Sequence, residues 1–503
     1  MRVERFLTDG ARRFPDKTAL VAGGRRLTFS DLDGMSDRLA AGLVCNGLRR
    51  GERVIVFMEN TWEAVAAIWA VLKAGGVFSP VNPSTKPDKL AYILSNCRAA
   101  ALVTQGKLAT AAAAAVASAP SVRFSVVAGA KSTPILPNAL RFEELSAASE
   151  AAMPWDAGID LDLAMLIYTS GSTGQPKGVM MTHQNVIAAA TSITTYLENT
   201  ADDVILNVLP ISFDYGLYQV LMAPKVGAML ILEKSFIFSH AVFETIAAER
   251  VTGFPIVPTI AALILQMKDL APGAYPHLRY ITNTAATLPP AHIARLQELF
   301  PETLIFSMYG LTECKRCTWL PPAQLKTRPG SVGIAIPRVA PNEVGELVIR
   351  GAHVMKGYWE DEAATKRALK PGPFPWERVL HTGDLFRTDE EGFLYFVGRK
   401  DDIIKTRGER VSPKEVENIL YALAGVREAA VVGVPDPVLG SAVKAVLALD
   451  SGVALSEQDV IRHCARHLED FMVPRLVEFR DALPKTDSGK IRRSEVQAEL
   501  VDA

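Results

Sequence analysis

The sequence predicts an α/β protein with a large N-terminal domain of layered α/β subdomains and a small β subdomain, followed by a small α+β C-terminal domain. Three observations carry this. Short apolar runs alternate with helix-period stretches through the first part of the chain, the pattern of βαβ layering. After about Gly333 the segments become short strands bounded by glycine and acidic turns. A chain of 503 residues, 49% hydrophobic, is too long for one ordinary core and apolar enough to bury several.

The elements come in order. Arg53–Met58 reads as a buried strand, and Thr61–Ala74 as a helix capped by Asn60 or Thr61 and ended by Gly75-Gly76. The alanine run Ala111–Ala119, stopped by Pro120, reads as a surface or half-buried helix. Strand then helix returns at Val204–Pro210 before a helical stretch, at Ala228–Leu232 before Ser239–Arg250, and at Leu278–Thr282 before Pro290–Leu299. Gly345–Arg350 and Gly392–Val397 are the strands of the β subdomain. Beyond Gly398 a basic, turn-rich segment leads into Ser412–Ala422, Val426–Val434, Lys444–Leu449 and Ser456–Leu468, enough for one small domain. The boundaries expected are residues 1–399, a hinge at 400–402, and residues 403–503.

Charge narrows the function. Fifty-four Lys and Arg against 55 Asp and Glu leave a net charge of -1, which argues against a general nucleic-acid binder or a polybasic membrane anchor. No run reaches the apolar length of a spanning helix, and the N-terminus lacks the apolar segment of a secretory signal. Cys45, Cys97, Cys314, Cys317 and Cys464 are odd in number and scattered, which fits a reducing compartment and a cytoplasmic location. Cys314 and Cys317 alone have metal-like spacing, and no second pair accompanies them.

Chemistry concentrates after the apolar strand Met165–Tyr168, which opens into Thr169-Ser170-Gly171-Ser172-Thr173-Gly174-Gln175-Pro176-Lys177-Gly178 before Thr182 caps a helix beginning near His183. Glycines let backbone N–H groups approach an anion, the hydroxyls donate to phosphate oxygens, and Lys177 adds positive charge. Gln175-Pro176 after Gly174 is not the Walker pattern, so a P-loop NTPase is disfavoured. A flexible Ser/Gly linker is the bland alternative for such a loop.

This loop resembles that of the adenylate-forming superfamily, which comprises acyl-CoA synthetases, peptide-synthetase adenylation domains and firefly luciferase. Further motifs of that family recur in order: Tyr309-Gly310-Leu311-Thr312-Glu313, Thr382-Gly383-Asp384, Gly398-Arg399-Lys400-Asp401-Asp402, and Pro484-Lys485-Thr486-Asp487-Ser488-Gly489-Lys490. The resemblance implies a large adenylate-forming N-terminal domain and a mobile C-terminal one that rotates about Asp401. It implies that residues Thr169 to Gly174, with Lys177, bind ATP, that Ala285 and Ala286 form a wall of the adenine site, and that Tyr309 faces adenine. Thr312 would meet phosphate, Glu313 would hold Mg²⁺, Asp384 the ribose hydroxyls, and Arg399 and Arg410 the nucleotide.

The reaction implied joins a carboxylic acid to AMP with loss of pyrophosphate, then passes the acyl group to a thiol. Lys490 would bridge the two anions in the first step, and Gly408 would face the adenylate in the second. Phe213, Asp214, Met308 and Gly310 are placed at the acid. Phe213 matches the aromatic of amino-acid activators, and Asp214 the carboxylate that binds the substrate amine. Lys405–Pro413 and the segment Val432-Gly433-Val434-Pro435-Asp436-Pro437-Val438-Leu439-Gly440 resemble free-standing acyl-CoA synthetases instead. Two readings therefore stand: an acid–thiol ligase using CoA, and a free-standing amino-acid adenylating enzyme loading phosphopantetheine on a separate carrier protein. Lys315-Arg316, after the Glu313 motif, depart from the small or polar residues found there and either meet an acidic group on the substrate or are solvated.

Overall fold

The computed structural model describes the chain except residues 130–135, 137, 148–157, 170–175, 285, 287, 335–343, 401, 407, 408, 437–439, 487–489 and 499–503. The chain divides into two compact units. One is Met1–Pro255 with Leu311–Arg316 and Ile349–Leu380, and the other is Ile256–Gly310 with Cys317–Val348 and His381–Ala503.

The first unit is built on an eight-stranded sheet. Its order is Gly357–Tyr358, Lys177–Thr182, Leu163–Thr169, Val77–Val81, Arg53–Phe57, Ala101–Gln105, Phe124–Ala128 and Ala139–Arg141. The inner strands run parallel. They read as continuous apolar runs because helices cover both faces of a parallel sheet. The helix Trp62–Lys73 shows this: Thr61 caps it by accepting from the Ala64 N–H, and every residue from Ala64 to Lys73 is buried. Lys73 is tolerated there because Asp33 and Asp37 hold its ammonium at 2.6 and 2.7 Å. Gly75, at φ +70°, supplies the left-handed residue that ends the helix. The alanine run forms the half-buried helix Ala109–Val116. Four further strands of this unit, Arg25–Thr28, Thr18–Ala22, Met229–Leu232 and Val204–Asn207, pair in that order.

One expectation changes. The Leu163–Thr169 strand does not lead through the glycine-rich segment directly into a helix. The strand Lys177–Thr182 intervenes, antiparallel to it with Thr169 opposite Lys177. Only then does Thr182 cap the helix His183–Tyr196, with Asn185 completing a reciprocal capping box. The run Val179–Thr182 is apolar enough to be buried as a strand, and pairing with its neighbour satisfies its backbone.

In the second unit Tyr280–Asn283 pairs parallel with Leu304–Leu311, and Pro290–Leu299 is the helix between them. Ser331–Ile334, Phe393–Arg399 and Arg378–Thr388 form an antiparallel β layer. Its small core joins Val332, Phe386 and Leu394 with the ring of Tyr309. The C-terminal segment folds as Val426–Asp436, Gly440–Leu449 and Leu476–Phe479 in one sheet, packed by the helices Pro413–Ala422 and Glu457–Ala465. Among the described residues no helix is long and apolar enough to cross a membrane.

Candidate active site

Tyr309, Asp384 and Arg399 come from three distant motifs and meet in the second unit. Asp384 and Arg399 are register partners on adjacent antiparallel strands. The Arg399 Nε donates to Asp384 Oδ1 at 3.0 Å, and the Tyr309 hydroxyl donates to Oδ2 at 2.7 Å. Asp384 is 4% exposed, so both bonds orient a carboxylate that little water reaches. The Tyr309 ring is itself held edge-on to Phe386 at 4.9 Å. The Thr-Gly before Asp384 has a local cause. The Thr382 hydroxyl accepts from the Asp384 N–H and donates to the Leu347 carbonyl, while Gly383 turns the backbone at φ +71°. Glu346 accepts from the Gly383 N–H at 3.0 Å and so fixes this turn.

In the first unit Lys177 and Glu313 approach a common residue, Tyr358. The Tyr358 hydroxyl donates to Glu313 Oε1 at 2.8 Å, and the Lys177 ammonium lies 5.7 Å from the Tyr358 ring centre. Lys177–Thr182 brings this about, because it pairs on its other side with Gly357–Tyr358. Gly178 packs closely here: a Cβ there would stand 3.2 Å from the Tyr168 ring and 3.4 Å from Trp359. Thr169 and Thr312 are both half-buried in this unit.

Phe213 is the N-cap of the helix Asp214–Val226, which sets Asp214 in its first turn, where a carboxylate suits the helix dipole. Gly216 is required by contact, since a Cβ would stand 2.5 Å from the Pro210 carbonyl oxygen. The Lys315 ammonium lies 3.6 Å from Asp214 Oδ2. Burial pushes the Lys315 ammonium below its ordinary value, against the opposing pull of Asp214.

Met308 is buried and Gly310 half-buried on the Leu304–Leu311 strand. Ala286 is held by the Asn283 side chain, which donates to its carbonyl at 3.0 Å. Arg410 lies opposite Lys405 in a short antiparallel pair. Lys490 is exposed; its N–H donates to the Thr486 hydroxyl and its carbonyl accepts from the Thr486 N–H. Ser170, Gly171, Ser172, Thr173, Gly174, Ala285, Asp401 and Gly408 lie outside the described residues. Sequence reasoning missed Tyr358 and Glu346. The signal for Tyr358 is Gly357, a left-handed glycine at φ +137° that a lone Gly-Tyr pair does not reveal.

Residues 7–359 match the model of the AMP-binding enzyme family, and residues 415–490 match that of the AMP-binding enzyme C-terminal domain. The chain belongs to this family, the adenylate-forming enzymes. It is 31% identical over 531 residues to the long-chain-fatty-acid–CoA ligase of Bacillus subtilis (strain 168), covering 98% of this chain and 93% of that one. Among solved structures, ATP-bound MatB from Rhodopseudomonas palustris superposes with a TM-score of 0.87 at 28% identity, covering 100% and 99% of the two chains. The anthranilate CoA ligase AuaEII in complex with anthranoyl-AMP superposes with a TM-score of 0.89 at 26% identity, covering 100% and 98%.

Proposed function

We propose that this protein is an ATP-dependent acid–CoA ligase that forms an acyl-AMP with release of pyrophosphate and then transfers the acyl group to CoA. The observation that carries the reading is the convergence of Tyr309 and Arg399 on the buried Asp384 carboxylate. An ionised carboxylate has about four acceptor sites, and these two donors use two, which leaves two for the hydroxyls of a ribose. Its relatives are named CoA ligases of different acids, so they support the reaction class and leave the acid open.

Each residue then has a task. Tyr309 offers its ring to adenine, and Asp384 with Arg399 binds the ribose. Thr169, Thr312 and Lys177, with residues 170–174, hold the phosphates, and Arg410 adds a further charge toward them. Glu313 fits Mg²⁺: it is a half-buried carboxylate with one oxygen oriented by Tyr358, an oxygen donor of the kind this ion takes. When bound, the ion neutralises the leaving pyrophosphate. Lys490 brings the substrate carboxylate and the α-phosphate together, two anions that repel without a cation between them. Residues 403–503 swing about Asp401 to admit the thiol after adenylation.

CoA is favoured over a carrier-loading amino-acid activator because Asp214 already faces the Lys315 ammonium. Cys45, Cys97 and Cys464 carry free thiols, which fits a reducing compartment. The test is pyrophosphate exchange over a panel of acids and amino acids, with Lys490→Ala beside the wild type. The variant should lose exchange and still make thioester from supplied acyl-adenylate and CoA. Normal exchange in that variant would contradict the role given to Lys490, and absence of any acid-dependent exchange in the wild type would contradict the function.

A further inference from the structure

Neighbouring residues of a strand ordinarily point to opposite faces. Lys315 and Arg316 open the strand Lys315–Leu320, yet both reach the same helix, Asp214–Val226. The cause is Lys315, which sits at φ +61°, a left-handed conformation that costs a lysine about 1 kcal/mol or more. The Lys315 ammonium stands over Tyr218 at 5.4 Å from its ring centre, and the Arg316 guanidinium over Tyr215 at 4.7 Å. Both cations are buried, at 3% and 9% exposure.

Lys315 has the Asp214 carboxylate at 3.6 Å. Arg316 is different: both terminal nitrogens, Nη1 and Nη2, are buried with no hydrogen-bond acceptor among the described residues. The Tyr218 hydroxyl, also buried, is a second donor without a partner among them. Burial raises the Tyr218 phenol well above its ordinary value, with Asp214 adding to the effect, so the hydroxyl keeps its proton to donate. Among the described residues this buried guanidinium is held by an aromatic face and has no counter-anion, and its two-pronged fork matches a carboxylate. The cluster adjoins Phe213, whose ring meets Tyr215 edge-on at 6.4 Å.

We propose that Arg316, with the Tyr218 hydroxyl beside it, is the receptor for a second carboxylate on the acid, so that the substrate is a dicarboxylic acid activated at one end and held at the other. This rests on the reading of Phe213 and Asp214 as part of the acid site. Entry of the second carboxylate requires the Tyr215 ring to yield, because the guanidinium nitrogens are covered in the free protein. Lys315 cancels Asp214, so the charge of Arg316 is what the incoming carboxylate neutralises.

The experiment measures pyrophosphate exchange and AMP release by the full chain over a length series of α,ω-dicarboxylic acids and their monomethyl esters. The esters keep the reacting carboxylate and length and lose only the second charge. The wild type should prefer its best diacid over the matched ester by about 100-fold in kcat/KM, the scale of one or two charge-assisted hydrogen bonds. Arg316→Met should cost the diacid about 100-fold, mostly in KM, and at least tenfold more than it costs the ester. Arg316→Lys should recover part of that loss. The melting temperature of Arg316→Met should stay at or above that of the wild type, since an uncompensated buried charge has been removed. Equal use of ester and diacid by the wild type, an equal loss on both in Arg316→Met, or a lowered melting temperature with no change in the diacid-to-ester ratio would each overturn the proposal. Those outcomes leave carboxylate activation intact, whereas absence of pyrophosphate exchange with every acid would overturn both.

Discussion

Asp384 is the residue whose replacement tests the nucleotide site most directly. Its carboxylate accepts from Tyr309 at 2.7 Å and from Arg399 at 3.0 Å, one on each oxygen. Each oxygen therefore keeps one acceptor site for a ribose hydroxyl, and hydrogen bonds to a charged acceptor are worth about 1.5–3 kcal/mol each. Asp384→Ala removes both, which predicts a rise of about 100- to 10,000-fold in the KM for ATP. Asp384→Asn keeps one acceptor oxygen and points an NH₂ either at the Tyr309 hydroxyl or at the Arg399 guanidinium, so about 10- to 100-fold is expected. Stability should move little. The Arg399 side chain is 57% exposed, so its share of the pair is about 1 kcal/mol or less, and loss of the Tyr309 hydrogen bond to the carboxylate adds about 1 more. A melting temperature lowered by a few degrees, with the KM for ATP raised far more than that for the acid, is the expected signature. Tyr309→Phe is the control, because it keeps the ring against Phe386 and frees one carboxylate oxygen. An Asp384→Asn enzyme whose KM for ATP stays within about threefold of wild type would refute the ribose assignment.

Gly216→Ala should destabilise the protein by about 1–3 kcal/mol or disrupt the Phe213–Asp214 turn, because the new Cβ meets the backbone oxygens of Pro210 and Leu209 at 2.5 and 2.7 Å; denaturant midpoints measure it. Thr182→Ala should cost about 1 kcal/mol by removing the cap of His183–Tyr196, read in the same way. His183 is buried and its Nδ1 accepts from the Val3 N–H, so the neutral ring is built in; burial, with the nearby Arg2, lowers its value from 6.5 to about 4. A depressed folded value means that the unfolded chain takes the proton first. The stabilisation is therefore complete above pH 6.5 and is lost as pH falls toward 4, about 3 kcal/mol in all; His183→Gln should flatten urea midpoints across that window.

Much of this was legible in the sequence because the signals were local. Thr61 and Gly75 bracket their helix by capping chemistry, Pro290–Leu299 begins on a proline at its first turn, and Thr182 announces the next helix. The fold class followed from such elements, since alternating strands and helices leave few ways to bury both faces of a sheet. What was not legible is pairing across long separations. The strand Lys177–Thr182 hid within the approach to a helix, and its partner Gly357–Tyr358 is too short to read as a strand. Tyr358 was missed for that reason, although it contacts two of the residues the motifs named. Glu346 was missed likewise, because nothing near it in sequence indicates that it anchors the Gly383 turn.

The dipeptide Phe213-Asp214 shows why local resemblance underdetermines chemistry. A carboxylate that binds a substrate amine must await it, with its negative charge uncompensated by the protein or compensated only by water. Here the ammonium that Asp214 faces belongs to the protein, and Lys315 is buried, so separating this pair weakens the compensation of a charge in the interior. An incoming amine would have to displace Lys315 at a cost of several kcal/mol before its own attraction to Asp214 counted, which makes the site a poor amine receptor. The left-handed backbone at Lys315 is what turns the ammonium toward the helix, and no property of the Phe-Asp pair foretells it. The same turn carries Arg316 onto that helix beside Tyr215. One strained residue thus closes the site to a cationic end group and, through its neighbour, opens it to an anionic one.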